Sequence, residues 1–205
     1  MKALLLVGSP RQKGASWKLG TALLKELSEC GLETESLHLA FCTGEAWGEA
    51  ERSIASADLL ILSLPVYVDS IPAPAIAALE RLVDRVQGKW LAVVLNCGFP
   101  EGNHNNTALK ICRQFAREAG CRWLGGLALS MAGFSFGSGP SRRVARAMAI
   151  AAPALAQGEP VPKRAVKLAA KRPMPKWLYL AVLNWNFRKV AAKRGKAPIN
   201  HQPYL

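Results

Sequence analysis

The chain has 205 residues and 22.1 kDa, half of them apolar and a fifth charged, the make-up of one folded domain of ordinary size with room for an appendage. That composition excludes disorder over the whole length, and no apolar run approaches the roughly 18 to 20 residues of a membrane-spanning helix. The net charge of +13 is unevenly placed: residues 161–205 hold eleven Lys and Arg and no Asp or Glu, against sixteen basic and fourteen acidic side chains before them.

In chain order, short apolar runs alternate with amphipathic stretches. Residues 3–7 form a continuous apolar run stopped by Gly8, Ser9 and Pro10, as expected of a strand buried on both faces. The apolar run after Lys2 is short for a signal-peptide core and no small-residue cleavage site follows it, so a cytoplasmic setting is expected. After Ser16 a helical pattern places Leu23, Leu24 and Leu27 on one side and stops at Gly31. Residues 32–39 read as a second strand, and Thr43 is placed to cap a short helix running to about Ala57. Residues 59–64 are a third buried strand, ended at Pro65. Ile76, Leu79, Leu82, Val83 and Val86 have helical spacing within 73–86. Residues 90–97 give a fourth strand, 107–119 a helix closed by Gly120, 123–131 a fifth strand, and Ser141 opens a helix towards Gln157. Strands separated by helices predict an α/β domain with a mostly parallel sheet. Acidic residues stop near Gly158, Glu159 and Pro160, which sets the expected boundary between a body (1–158) and a basic, partly apolar helical extension (159–205).

Three loops fall at the carboxyl ends of predicted strands, where open parallel sheets bind ligands. The first, GSPRQKGAS at 8–16, offers tight glycine turns, the hydroxyls of Ser9 and Ser16, the charges of Arg11 and Lys13, and the N–H groups opening the next helix. It lacks the Lys that follows the second Gly of a P-loop, and it is not G-x-G-x-x-G. A phosphate site and an ordinary solvated turn both fit it. The second loop, 65–72, is stiffened by Pro65 and Pro72 and presents Val66, Tyr67 and Val68. It could support a flat ring or pack beneath a helix or subunit. The third, 96–106, holds Cys97, Gly98 and Phe99, with His104 among asparagines reading as a solvent-exposed loop side chain. Cys97 reads as a small strand-end residue.

The five cysteines show no C-x-x-C pair, so neither a disulfide framework nor a zinc site is expected. His38 and Cys42 could supply half a metal site, with no second pair to complete it.

Taken together, GSPR-x-x-G-x-S at 8–16, LPVYVDSIPAP at 64–74 and CGFPE at 97–101 resemble the NADPH-dependent FMN reductase family of flavodoxin-like proteins, in the branch related to iron–sulfur flavoproteins. The resemblance covers roughly residues 1–135. It implies a flavodoxin-like three-layer sandwich with a five-stranded parallel sheet, carrying the basic helical tail behind it. It places the FMN phosphate on Ser9, Arg11 and Ser16, and the isoalloxazine on Pro65, Val66, Tyr67 and Ser70, with Cys97, Gly98 and Phe99 alongside; Lys13 and Trp17 are further cofactor-binding candidates in the first loop and helix. Two positions depart from the family pattern: Ala15 stands where Asn commonly precedes the serine, and Trp17 where a small hydroxyl residue is frequent. The cluster cysteines of the iron–sulfur branch are absent apart from Cys42, so no iron–sulfur cluster is expected.

The activity the resemblance implies is hydride transfer from NAD(P)H through bound FMN to a second acceptor: a quinone, a flavin, an azo compound or a protein. The flavin carries the chemistry, and no catalytic side chain is assigned. An FMN-binding electron carrier without NAD(P)H turnover is the alternative. A homodimer is the expected assembly. In the tail, residues 177–187 (WLYLAVLNWNF) are apolar almost all round and bracketed by Lys176, Arg188 and Lys189. Docking on the body or on a partner subunit, and peripheral contact with an anionic membrane, are both open. Nucleic acid is not expected, since no recognised binding motif accompanies the charge.

Overall fold

The computed structural model describes residues 1–42, 44–131 and 139–193. Among them five strands form one sheet: β1 (Lys2–Val7), β2 (Glu33–His38), β3 (Leu59–Val66), β4 (Trp90–Cys97) and β5 (Arg122–Leu129). The order is β2-β1-β3-β4-β5 and every pair is parallel. This is the flavodoxin-like, doubly wound order, with its switch of direction between β1 and β3. Seven α-helices are described: α1 (Ala15–Glu29), α2 (Glu45–Ser56), α3 (Ala73–Leu82), α4 (Asn106–Glu118), α5 (Arg142–Ala156), α6 (Lys163–Ala170) and α7 (Lys176–Lys193). The proposed Thr43 cap lies outside the described residues; Gly44 precedes α2.

Successive strand side chains point to opposite faces, and both faces of the central strands are covered. Leu5 and Val7 of β1 join Leu19, Leu23 and Leu27 of α1 and Val144, Met148 and Ala151 of α5 in one apolar layer. Leu4 and Leu6 join Ile54 of α2, Leu79 of α3 and Cys112 and Phe115 of α4 in the other. That double burial is why β1, β3 and β4 read as nearly continuous apolar runs. The layer under α1 is tight: a Cβ at Gly20 would stand 2.5 Å from Leu5 Cδ1 and 3.0 Å from Ser63 Cβ.

Three readings move. First, β3 does not end at Pro65 but runs through Val66, with Pro65 opposite Asn96 and Val66 opposite Cys97 of β4. On its other side β1 ends at Val7, paired with Ser63. Past that point a missing N–H is tolerated because no strand on that side asks for it. Second, α3 stops at Leu82 rather than Val86. Third, the contacts divide the chain after Lys171, the second unit beginning at Arg172, thirteen residues beyond the boundary at 158. The reason is α6. Gly158 turns the chain with φ +70°, the Val161 N–H donates to Leu124 O of β5 at 2.8 Å, and Val161, Ala165 and Ala169 join the layer under α1 and α5. The basic composition that begins at 161 belongs to the outer face of a helix whose inner face is core.

Candidate functional site

The carboxyl ends of β1, β3 and β4 bring the three loops to one edge of the sheet. In the first, the Ser9 side chain is buried and its Oγ accepts the Arg11 N–H at 3.1 Å, while Gly14 N–H donates to Arg11 O at 3.4 Å. The loop is curled so closely that a Cβ on Gly14 would stand 3.4 Å from Ser9 Oγ. His38, at the end of β2, lies 3.2 Å through Nε2 from Arg11 O. A carbonyl only accepts, so Nε2 carries the proton and holds the loop from below. This role for His38 was not legible in the sequence, which offered it only as half a metal site.

α1 starts directly behind this loop with no side-chain cap and no acidic residue in its first turn. Its leading N–H groups therefore present positive potential to whatever sits in the loop. Arg11 and Lys13 are exposed and make no ion pair among the described residues. A buried hydroxyl with a proton still to donate, an uncapped helix end and two cations fit a phosphate monoester.

Ser16 sits within the first turn of α1 rather than at its cap. Its hydroxyl donates to Asn96 Oδ1 of β4 at 2.8 Å, and its carbonyl accepts from Ser63 Oγ of β3 at 2.6 Å. Both bonds are buried, so they fix the helix N-terminus against the strand ends. Trp17 is half-buried and packs against the apolar layer beneath α1.

Pro65 and Val66 are strand residues, buried at the end of β3. The turn that follows is closed by two hydrogen bonds between Tyr67 and Ser70, 2.8 Å and 3.1 Å long, with Val68 at φ +48° and Asp69 at φ +63°. Two consecutive positive φ values match a type I′ turn. A β-branched residue is strained there, and Val68 is 92% exposed with nothing packed around it. Tyr67 is 48% exposed and Phe99, past the end of β4, 52%. Cys97 is buried, its thiol pushed up by desolvation, which is a packing role and not that of a reactive thiol. Among the described residues, its chain neighbours aside, no atom lies within 4 Å of where a Cβ on Gly98 would stand.

His104 corrects the expectation of a solvated loop histidine. It is half-buried in the 3₁₀ turn Gly102–Asn105, its Nδ1 lies 2.5 Å from Asp69 Oδ1, and its ring packs on Phe99 with centroids 4.6 Å apart. The second and third loops are thereby tied to each other. Asn105 secures the third loop from beneath, its side-chain amide donating to Leu129 O and Gly102 O, both at 3.3 Å.

A separate apolar groove of about 570 Å³ runs along the flank of the body between α3 and α4, lined by Ile76, Leu79, Val83, Ile111 and Phe115. Ile71 of the second loop also lines it. Among the described residues no three His, Cys, Asp or Glu side chains gather as a metal site.

Known proteins match the part of the chain that carries the three loops. The sequence profile of the family described as NADPH-dependent FMN reductase matches residues 1–120. An iron–sulfur flavoprotein of Archaeoglobus fulgidus is 29% identical over 138 aligned positions, spanning 54% of this chain and 63% of that protein. An NAD(P)H:quinone oxidoreductase of Methanothermobacter marburgensis superposes with a TM-score of 0.58 at 16% identity, over 76% of this chain and 96% of its own. A flavodoxin from the domain Archaea does so with 0.58 at 12% identity, over 77% and 97%. At such identities the two structures establish the fold.

Proposed function

The chain belongs to the NADPH-dependent FMN reductase family, and from that premise we propose that it is an FMN-dependent oxidoreductase that takes a hydride from NAD(P)H and passes electrons to a flat organic acceptor of the quinone class. One observation carries this reading. At a single sheet edge, an uncapped helix end flanked by Arg11 and Lys13 meets two mutually tied loops that hold Tyr67, Val68 and Phe99 in solvent. FMN, when bound, supplies the hydride acceptance and the electron delivery. The residues of the chain hold and orient it. Ser9, Arg11, Lys13 and the first N–H groups of α1 take the phosphate, with Ser16 fixing the helix end that presents them. Tyr67, Val68 and Ser70 of the turn, and Gly98 and Phe99 of the third loop, border the ring. Pro65, Val66 and Cys97 set those loops from the strand ends. No side chain is assigned a proton transfer.

The test is the absorption spectrum of the purified full chain, followed by oxidation of NADPH and NADH with a soluble benzoquinone, free FMN or an azo dye as acceptor. Bound flavin near one per chain, with quinone the fastest acceptor, is expected. No flavin binding on reconstitution overturns the reading. Bound flavin without NAD(P)H oxidation marks an electron carrier instead.

The strained turn gives a second check. Asn tolerates positive φ where Val does not, so Val68→Asn should raise the unfolding free energy of the flavin-free chain by about 1 kcal/mol. It should also weaken FMN a few-fold, since an apolar contact with the ring is lost. A gain in stability with unchanged FMN affinity removes Val68 from the ring site.

The homodimer belongs to the same proposal. The α3–α4 groove also includes Glu80, Lys110 and Glu118 among its lining side chains, so a two-fold related copy would bury the apolar strip and face the lysine of each chain with carboxylates of the other. Val83→Glu combined with Ile111→Glu should convert a dimer to a monomer in light scattering. A wild-type chain that stays monomeric at high concentration overturns the assembly.

A further inference from the structure

We infer that the chain docks on an anionic lipid membrane through two separate elements, α7 in the second unit and the basic face of α6 in the first, holding the flavin domain at the bilayer without spanning it. Two observations, one in each unit of the chain, lead there independently.

The first is α7 itself. Trp177, Leu178, Leu180, Trp185, Phe187 and Val190 are exposed, Trp177 by 71% and Trp185 by 58%. At 100° per residue these positions are spread around the helix and not gathered on one stripe. A groove or a neighbouring helix covers one side of such a cylinder and leaves the others wet. Lipid surrounds it. The apolar stretch 177–187 is about 16 Å long at helical rise, about half of a hydrocarbon core. No described helix is long and apolar enough to cross a membrane, so α7 reaches into one leaflet only. Lys176 stands before the stretch and Arg188, Lys189 and Lys193 after it, and Lys189 Nζ lies 3.8 Å over the Trp185 ring. Indole rings beside basic groups suit the headgroup level.

The second is on the body. Arg146 of α5 and Lys163, Arg164, Lys167 and Lys171 on and after α6 surround a concavity of about 530 Å³ with Leu168. Among the described residues no carboxylate lines it, and the sequence has no Asp or Glu after Glu159. A patch of this kind matches the negative surface of an anionic leaflet, and stable membrane attachment takes two signals, an apolar insertion and a polybasic patch. Only residues 171–175 separate α6 from α7, so the two signals are near neighbours in the chain. Nucleic acid would neutralise the same charges but would leave Leu178, Leu180 and Val190 in water.

The experiment is co-sedimentation of the full chain with vesicles of phosphatidylcholine, with and without about a quarter phosphatidylglycerol. Binding to the anionic vesicles, weakened by salt, is expected. Lys163→Gln, Arg164→Gln and Lys167→Gln together should lower that partition by about a hundredfold, and Trp177→Ser with Trp185→Ser by about tenfold per ring lost. In the unmutated chain, tryptophan emission should be quenched by brominated acyl chains, a readout that needs no variant to fold. No pelleting at low salt overturns the proposal. So do pelleting without bromolipid quenching, which marks adsorption by charge alone, and tighter binding to a single-stranded RNA homopolymer than to the anionic vesicles. Flavin content and NAD(P)H turnover are read separately, so failure here leaves the oxidoreductase reading standing.

Discussion

Arg11→Ala is expected to weaken FMN by about 10- to 150-fold, because a charge-assisted hydrogen bond to a phosphate contributes roughly 1.5 to 3 kcal/mol. Riboflavin, which has no phosphate, should lose far less. The substitution is clean for a structural reason. The contacts that shape the loop use the backbone of Arg11: its N–H on Ser9 Oγ, and its carbonyl under Gly14 N–H and His38 Nε2. Alanine keeps all three and removes only the side chain beyond Cβ, with its guanidinium. Lys13→Ala should show the same preference with a smaller loss, since an ammonium contributes a point charge and not a two-pronged bond. Equal losses for FMN and riboflavin would take Arg11 out of the phosphate site and leave Ser9 and the helix end to hold it. Titration of the flavin-free chain with each ligand, followed by flavin fluorescence, measures both.

The fold was legible where burial is two-sided. The runs in β1, β3 and β4 have water on neither face, so they are apolar save for Ser63 and Asn96, and β4 was bounded at Trp90 and Cys97 as found. Where a boundary depends on a neighbour it was not. Pro65 reads as a strand stop in isolation, and only the early end of β1 makes it harmless. The start of α6 was hidden for a related reason: its exposed face supplies Lys163, Arg164 and Lys167 while small alanines do the packing, so composition signals a tail. Strand order came from the resemblance and not from periodicity, which is silent on which strand lies beside which.

The site was legible as loops and hidden as a network. Glycine, proline and basic residues announce themselves locally, and they located the three loops. The bonds that bind the loops together are long-range: Ser16 with Asn96 across 80 residues, His104 with Asp69 across 35, His38 with Arg11 across 27. A single sequence contains no signal for such pairs. The one local hint was the pair of polar residues, Ser63 and Asn96, inside otherwise apolar strands. A buried polar side chain needs a partner, and both find theirs at Ser16.

Two truncations separate body from tail, and they should differ sharply. A chain ending at Lys171 loses α7 and keeps the whole core of the first unit, so it should fold and bind FMN as the full chain does. A chain ending at Gly158 also loses Val161, Ala165 and Ala169 from the layer under α1 and α5, and the Val161 N–H from Leu124 O. Burying one valine and two alanine methyls is worth about 3 to 5 kcal/mol at the usual cost per apolar group. That is a large share of the roughly 5 to 15 kcal/mol by which a domain of this size is stable. The shorter chain should therefore unfold at a much lower urea concentration, if it accumulates folded at all. Its loss should appear in stability before affinity, because no residue placed at the flavin lies beyond Phe99. Equal urea midpoints for the two truncations would show that α6 only rests on β5, returning the boundary to Gly158. A matching loss in the chain ended at Lys171 would show instead that α7 is part of the core, which would also remove it as a free lipid anchor.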